Sequence, residues 1–192
     1  MSRVVKDAEE RKEELLQIGI RLYLQGGTKS VSIQNVIKEA SVATGLFYYY
    51  FKTKEDFIEQ ALEKYANDFI IDLDRIVGDK KSRSVLDRLN LLMNQCCIRF
   101  NAVNKINSDE MLKTPWHSAL ESLMIQRLHK SITGFVAEGM ESGDFRIIEP
   151  RITALYLVCG LMGVLLRVDP INNEKLDEEI RRLAYSTLSI DA

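Results

Sequence analysis

Residues that break regular structure are scarce in this sequence. It has 10 glycines and 3 prolines among 192 residues, well below the usual combined share of ~12%. Collagen-like and low-complexity chains need far more of both residues, and a β-sandwich needs many turns. The shortage excludes the first two classes and argues against the third.

Cysteine is also rare. Cys96, Cys97 and Cys159 are the only three, an odd number without CxxC spacing, which fits neither a disulfide framework nor a zinc site. We expect three buried thiols in a reducing compartment; the alternative is a redox sensor built on Cys96 and Cys97. His117 and His129 lie outside any HExxH or ExxH motif, so we expect no bound metal and no cofactor.

No stretch is long and apolar enough to span a membrane. The longest uncharged run, residues 152–166, lies between Arg151 and Arg167 and is shorter than the ~20 residues that a spanning helix needs. We read it as a helix buried in a core or a subunit interface. The first fourteen residues are charged throughout and contain no apolar segment of the secretory kind. We therefore expect a cytoplasmic protein.

What the sequence does have is helical periodicity almost throughout. Apolar residues recur at three- and four-residue steps, and Ser32, Thr53 and Thr114 stand where N-caps belong. The aromatic residues 48–51 favour a strand by propensity, but four residues are too few for a sheet that nothing else supports. The pattern predicts helices near residues 11–25, 33–40, 43–50, 53–77, 85–100, 115–142, 150–169 and 176–187, with a weakly patterned segment at 101–113.

Residues 11–57 contain one helix and then two short helices joined by a tight turn, the geometry of a helix-turn-helix unit. The second short helix of such a unit can lie in the DNA major groove; a hairpin used only for packing is the alternative. Charge weighs against that alternative, because a phosphate backbone is the natural partner of a basic patch. The whole chain has a net charge of −2, but residues 15–54 hold one acid, Glu39, and five bases, Arg21, Lys29, Lys38, Lys52 and Lys54.

The second short helix also has suitable side chains for contact with DNA. Thr44 and Gly45 are small, so the backbone could approach base edges, and Tyr48 and Tyr49 carry hydroxyls that reach phosphates or bases. Lys54 lies in the first turn of the next helix, where the helix dipole favours an anion. A cation is tolerable there if a phosphate binds.

At these residues the sequence resembles the DNA-binding module of the tetracycline-repressor (TetR) family of bacterial transcription regulators. That module reads roughly AGVSxGxLYxYFxxKExL, and residues 40–57 here read ASVATGLFYYYFKTKEDF. The resemblance covers residues 15–57. Three positions depart from the family pattern: Ser41 replaces a turn glycine, Ala43 replaces a serine and Ile37 replaces a small residue. The shared positions are Gly45, Tyr48, Tyr50, Phe51, Lys54 and Glu55.

The resemblance implies roles for individual residues of this module. Ser32 and Gln34 would contact phosphates at the start of the second helix. Tyr49 and Lys54 would also contact phosphates. The residues implied to face the groove are Ala43, Thr44, Leu46 and Tyr48, and those implied to hold the module's core are Phe47, Tyr50 and Phe51.

The resemblance also implies an all-α chain of about nine helices in three parts. These are a DNA-binding domain (1–52), a linking helix (53–77) and a ligand-sensing and dimerisation domain (78–192). Each candidate pocket residue has plain core packing as its alternative. The pocket candidates are Met93, Phe100, Trp116, His117, Met124 and Tyr156. The dimer candidates come from the residues themselves: Cys159 and Gly163 are small residues in the apolar run 152–166, and Leu176, Ile180 and Leu183 have the spacing of a coiled-coil seam in the last helix.

The function implied is that of a homodimeric transcription regulator, a repressor released from a palindromic operator by a small molecule. The alternative is a DNA-bound adaptor or architectural protein of the same fold without a ligand. The sequence has no GxSxG motif, no glycine-rich phosphate loop and no metal-spaced cluster, so we expect no enzyme activity. A closed apolar cavity in the body would favour the sensor, and a filled core with an exposed apolar patch would favour the adaptor.

Overall fold

The computed structural model describes residues 7–104, 113–167 and 173–190. These ranges form eight α-helices, one short 3-10 turn (Gly27–Lys29) and no strand. The all-α prediction is confirmed, and the strand alternative is wrong because residues 48–50 lie in a helix. Most of the weakly patterned segment 101–113 lies outside the described residues. The helices are α1 (Ala8–Gly26), α2 (Ile33–Glu39), α3 (Thr44–Tyr50), α4 (Lys54–Gly78), α5 (Val85–Asn104), α6 (Pro115–Ser142), α7 (Pro150–Arg167) and α8 (Asn173–Thr187).

Side-chain caps fix the starts of the two longest helices, as predicted. The Thr53 hydroxyl accepts a hydrogen bond from the backbone N–H of Asp56 at 3.0 Å, and the Thr114 hydroxyl accepts one from His117 at 3.2 Å. Each cap satisfies an N–H that has no partner within its helix. At the other end of α6, Gly143 adopts a left-handed φ of 81°, which glycine allows without steric strain.

Two hydrophobic clusters make up the core. The N-terminal cluster joins α1, α2, α3 and the first half of α4, and the body cluster joins the second half of α4 with α5, α6, α7 and α8. On α4, Phe57 belongs to the first cluster and Phe69 to the second. This helix of 25 residues therefore connects the two clusters rigidly.

Helix α6 also contacts both clusters. Near its start, Trp116 and Leu120 pack against the N-terminal cluster. Farther along, Leu128, Phe135 and Val136 are buried in the body cluster. No helix in the described parts of the chain is long and apolar enough to cross a membrane.

Candidate functional site

A left-handed serine makes the turn between α2 and α3. Ser41 has φ 54°, at the position where the family pattern expects a glycine. Its N–H donates to the Lys38 carbonyl at 3.2 Å, and the Val42 N–H donates to the Ile37 carbonyl at 3.0 Å. These bonds close α2 and redirect the chain into α3. The price of the unfavourable φ at a non-glycine residue is roughly 1 kcal/mol.

Three aromatic rings hold α3 in place from below. Phe47, Phe51 and Phe57 are all fully buried. Their ring centroids lie 5.2 Å (Phe47–Phe51), 5.1 Å (Phe47–Phe57) and 4.8 Å (Phe51–Phe57) apart. The ring planes are tilted or edge-to-face, which is the favourable geometry for aromatic pairs. The inner face of α3 is thus attached to the first turn of α4.

The opposite face of α3 is open to solvent. A Cβ placed on Gly45 would meet nothing within 4 Å, so the helix backbone is accessible there. Tyr48 is 52% exposed and Tyr49 is 76% exposed. Of the four residues predicted to face the groove, Ala43, Thr44 and Tyr48 are exposed and Leu46 is half-buried. The surface of α3 is therefore shaped for close approach by a partner.

The predicted contacts on α2 lie beside this face. Ser32 is the N-cap residue of α2 and is half-buried, and Gln34 is exposed. The Ser32 hydroxyl makes no capping hydrogen bond to the helix, contrary to the expectation of a side-chain cap. Its backbone takes the extended conformation of an N-cap.

Lys54 has a structural contact that the sequence did not indicate. Its Nζ donates to the backbone carbonyl of Thr28 at 2.9 Å, which ties the start of α4 to the turn after α1. An ammonium group has three N–H donors, so this bond leaves others for a further acceptor. No periodicity or motif signals a contact between residues 26 positions apart.

The basic charge of the module is unevenly balanced. Arg21 forms an ion pair with Glu39, the one acid between residues 15 and 54. Lys29, Lys38 and Lys52 are exposed and form no ion pair with the described acidic residues. The three uncompensated lysines make this end of the molecule attractive to polyanions.

The body contains a small apolar cavity of about 60 Å³. Its walls come from the second half of α4 and from α5, α6, α7 and α8, and every lining side chain is apolar. A ligand pocket is typically 300–1,000 Å³, so this cavity can hold only a very small apolar group as it stands. The lining residues are Phe69, Leu73, Leu89, Leu92, Met93, Cys96, Leu128, Ile132, Phe135, Val136, Leu157, Val158, Leu161, Met162, Ala184 and Leu188.

The predicted pocket residues lie in different places. Met93 lines the cavity, and Met124 packs against the body cluster without lining it. Trp116 packs against the N-terminal cluster, with His117 beside it at the start of α6. Tyr156 is 67% exposed on α7. The side chain of Phe100 lies outside the described part of the structure.

The adjacent cysteines are protected by burial. Desolvation raises the pKa of the Cys96 thiol to about 12 and, with the nearby Asp177 carboxylate, that of Cys97 to about 11. Reactive cysteines need an accessible thiolate near neutral pH, so these values argue against the redox-sensor alternative. Cys159, in contrast, is exposed, so the expectation that all three thiols are buried is wrong. Within the described residues no group of three or more His, Cys, Asp or Glu could hold a metal ion.

The predicted dimer residues divide between the surface and the core. Cys159 is exposed, a Cβ on Gly163 would meet nothing within 4 Å, and Leu183 is 45% exposed. Ile180 is only 2% exposed, and Leu176 packs against the same body cluster. The first three therefore lie on the outer face of α7 and α8, whereas Ile180 and Leu176 stabilise the chain's own core.

The N-terminal helices form a helix-turn-helix unit in which one face of α3 is open to solvent. A long helix, α4, joins this unit to a helical body. This architecture is typical of helix-turn-helix DNA-binding proteins. Residues 15–61 match the family model described as "Bacterial regulatory proteins, tetR family". The resemblance to this family is confirmed for this segment, and the protein is a DNA-binding transcriptional regulator, as its sequence predicted.

Similar proteins support this assignment. The chain is 23% identical over 176 residues to the HTH-type transcriptional repressor DhaR of Mycobacterium sp. (strain GP1), covering 87% of each chain. Three further curated relatives match over less than a third of their own length.

Solved structures share the fold over most of the chain. A transcriptional regulator from Cytophaga hutchinsonii has a TM-score of 0.78 at 19% identity, covering 95% of this chain and 98% of that one. A TetR-family regulator from Agrobacterium tumefaciens has a TM-score of 0.70 at 14% identity, covering 97% and 100%.

Proposed function

We propose that the protein is a repressor that binds a near-palindromic operator as a homodimer and is released by a small apolar ligand. The observation that carries the proposal is the open face of α3, which is held rigidly from below by three buried phenylalanines. Repression is supported by the relative DhaR, which is named as a repressor. The two hydrophobic clusters, which meet along α4, support the proposed division into residues 1–52, 53–77 and 78–192.

The proposed DNA contacts are of two kinds. Ala43, Thr44, Leu46 and Tyr48 would read base edges from α3, because they lie on or beside its exposed face. Ser32, Gln34, Tyr49 and Lys54 would contact phosphates, which fix the position of the module on the duplex. Three exposed lysines of the basic patch would add to the electrostatic attraction: Lys29, Lys38 and Lys52.

The proposed dimer contact lies on α7 and α8. Tyr156 is 67% exposed, Ile152 is 69% exposed and Leu183 is 45% exposed, a concentration of apolar surface that monomers rarely leave in water. Cys159 and Gly163 lie on the same face, and their small side chains would let two copies approach closely. A two-fold pair of modules reads half-sites related by the same axis.

The proposed ligand would occupy the body cavity. All of its lining side chains are apolar, so a polar ligand would lose its hydrogen bonds to water without replacing them. A ligand larger than a few carbon atoms must widen the cavity, which would move the helices that line it, including α4. The operator and the ligand would thus favour different positions of α4, the condition for reciprocal coupling between two sites.

The small cavity volume is the observation that favours the second candidate, a DNA-bound adaptor without a ligand. Small apolar compounds such as benzene and short alkanes distinguish the two. A ligand that binds the folded chain raises its melting temperature, and for a sensor the same compound must also lower operator affinity. Stabilisation without a change in operator affinity would identify an adaptor.

DNA fragments selected from a random pool by the purified chain test the proposal as a whole. We expect one enriched near-palindrome, with half-sites separated by about one helical turn of DNA, ~34 Å, or a multiple of it. An enriched pool without a shared sequence would overturn the proposal.

A further inference from the structure

Arg88, in the first turn of α5, is the one charged side chain in the described ranges that is fully buried, at 1% exposure. A buried charge is strongly unfavourable unless it is paired and hydrogen-bonded. The hydrogen bonds and the ion pair of the Arg88 guanidinium therefore determine where this side chain lies.

The Arg88 guanidinium joins three elements. Its Nη1 donates to the backbone carbonyl of Val77 at 2.6 Å, in the last turn of α4. Both of its terminal nitrogens donate to the carboxylate of Glu138 on α6. Its Nε lies 3.4 Å from the carbonyl of Ser84, just before α5. The carbonyls in the last turn of a helix lack intrahelical partners, so Arg88 gives the end of α4 a specific partner.

Arg88 also touches the cavity wall. Its Cζ lies 5.4 Å from the ring centroid of Phe135, a cation–π contact. Phe135 lines the cavity and is 2% exposed, and it lies one helical turn before Glu138. One guanidinium thus contacts both the wall of the cavity and the C-terminal end of α4.

Any group that widens the cavity has to displace its wall. If Phe135 moves, the Arg88 guanidinium must either follow it or lose its contacts with the Phe135 ring and with the Glu138 carboxylate on the same helix. In either case the hydrogen bond from Arg88 to the Val77 carbonyl changes. Helix α4 runs from this point to the module, where Phe57 packs edge-to-face against Phe47 of α3. Because a helix of this length is stiff, a shift at its end reaches the module.

We propose that Arg88 is a positioning residue that couples the packing of the body cavity to the placement of α4, and through it to operator binding. The inference rests on the proposed ligand response and names the residue that transmits it. Arg88 itself touches neither DNA nor the cavity's interior.

A double-mutant cycle on operator affinity tests this coupling. Val158→Phe fills part of the cavity from α7, and Arg88→Met removes the guanidinium but keeps an apolar stem. Operator affinity is measured for the wild type, both single variants and the double variant by fluorescence anisotropy on the selected DNA, below the melting temperature of each. We expect Val158→Phe to weaken binding in the wild-type background, and this effect to change by about threefold or more when Arg88 is absent.

A matched control is Arg127→Met. Arg127 on α6 also bridges to α4, through Asn67 Oδ1 at 2.6 Å, but it does not line the cavity. In the double variant of Arg127→Met with Val158→Phe, the fold-change in operator affinity should equal the product of the two single effects within about twofold. A structural role alone would lower affinity in the Arg88 variant without altering its response to the cavity substitution.

Further variants keep the test decisive if a substitution prevents folding. Glu138→Gln replaces Arg88→Met, because it removes the charge that holds the guanidinium yet keeps an acceptor, and Val158→Leu replaces the larger ring. The inference would be overturned if the fold-changes in operator affinity of the two single variants simply multiply in the double variant, for Arg88 or for Glu138. It would also be overturned if the cavity substitution has no effect on operator affinity. Either result would leave the DNA-binding function intact. A wild-type chain that selects no DNA sequence would overturn the proposed function and the inference together.

Discussion

Gly19 of α1 and Phe57 of α4 are in direct contact. A Cβ placed on Gly19 would lie 2.5 Å from the ring Cζ of Phe57, which is closer than real Cβ atoms approach. Phe57 is fully buried and packs edge-to-face against Phe47 and Phe51, so its ring has no free space to move into. The absence of a side chain at Gly19 therefore determines how closely α1 packs against the helix that supports α3.

We expect Gly19→Ala to destabilise the protein. Overpacking a well-filled core typically costs about 1–3 kcal/mol, which exceeds the gain in helix propensity of up to ~1 kcal/mol. Urea unfolding measures the change. Gly134→Ala is the control, because Gly134 is an exposed glycine within α6 and its new Cβ would meet nothing within 4 Å. Equal stability of the two variants would show that the Gly19–Phe57 contact is not tight.

Ser41→Gly should stabilise the protein. Ser41 has φ 54°, and relief of this left-handed strain is worth about 1 kcal/mol, partly offset by the greater freedom of glycine in the unfolded chain. The free energy of unfolding by urea is the measurement. Ser30→Gly is the matched control: Ser30 has φ −79°, so glycine there relieves no left-handed strain. A decrease in stability for Ser41→Gly would contradict a left-handed residue in this turn.

Glu138→Gln should alter the dependence of stability on pH. Hydrogen bonds from Arg88, followed by those from Lys80, hold the pKa of the Glu138 carboxyl below its ordinary value of 4.5. A lowered folded-state pKa stabilises the fold above about pH 4.5, and this stabilisation is lost as pH falls through the folded-state value. The wild type should therefore exceed the variant in stability near neutral pH, by a margin that shrinks in acid.

Thermal unfolding between about pH 6 and pH 3 checks this margin. Glu141→Gln is the control, since Glu141 is an exposed acid on the same helix that pairs with no described residue. A margin for Glu138→Gln that stays constant with pH would contradict an ionised, paired carboxylate.

If α7 and α8 form the dimer contact, charged substitutions at two apolar positions on α8 should have different effects. Leu183 is 45% exposed, so Leu183→Arg should leave the fold intact but yield monomers in sedimentation equilibrium. Ile180 is 2% exposed, so Ile180→Arg buries an unpaired charge and should unfold the chain, with a loss of several kcal/mol. A Leu183→Arg variant that stays dimeric would place the interface elsewhere.

Most of the fold could be predicted from local features of the sequence. Thr53, Thr114 and Gly143 mark helix ends because capping acts between residues only a few positions apart. Helix α3 was predicted because its preceding turn, its small residues and its aromatic residues occupy one short segment.

Contacts between distant residues could not be predicted in this way. The Lys54–Thr28 bond and the Arg88–Glu138 pair join residues 26 and 50 positions apart, and no periodicity encodes them. Trp116 was expected at a pocket but packs against the N-terminal cluster, because a bulky apolar side chain signals burial without indicating its neighbours. Periodicity likewise placed Ile180 and Leu183 on one apolar stripe but did not show that Ile180 is buried in the chain's own core whereas Leu183 is partly exposed.

If the open face of α3 lies against DNA, Gly45→Ala should weaken operator binding without a loss of stability. Gly45 is exposed within α3, and a Cβ there would meet nothing within 4 Å. The variant should therefore be at least as stable as the wild type, by up to ~1 kcal/mol of helix propensity. The added methyl group should obstruct close approach to the bases and weaken binding to the selected operator by about tenfold, the typical effect of one mismatched contact. Unchanged operator affinity in this stable variant would show that this face of α3 does not approach the bases.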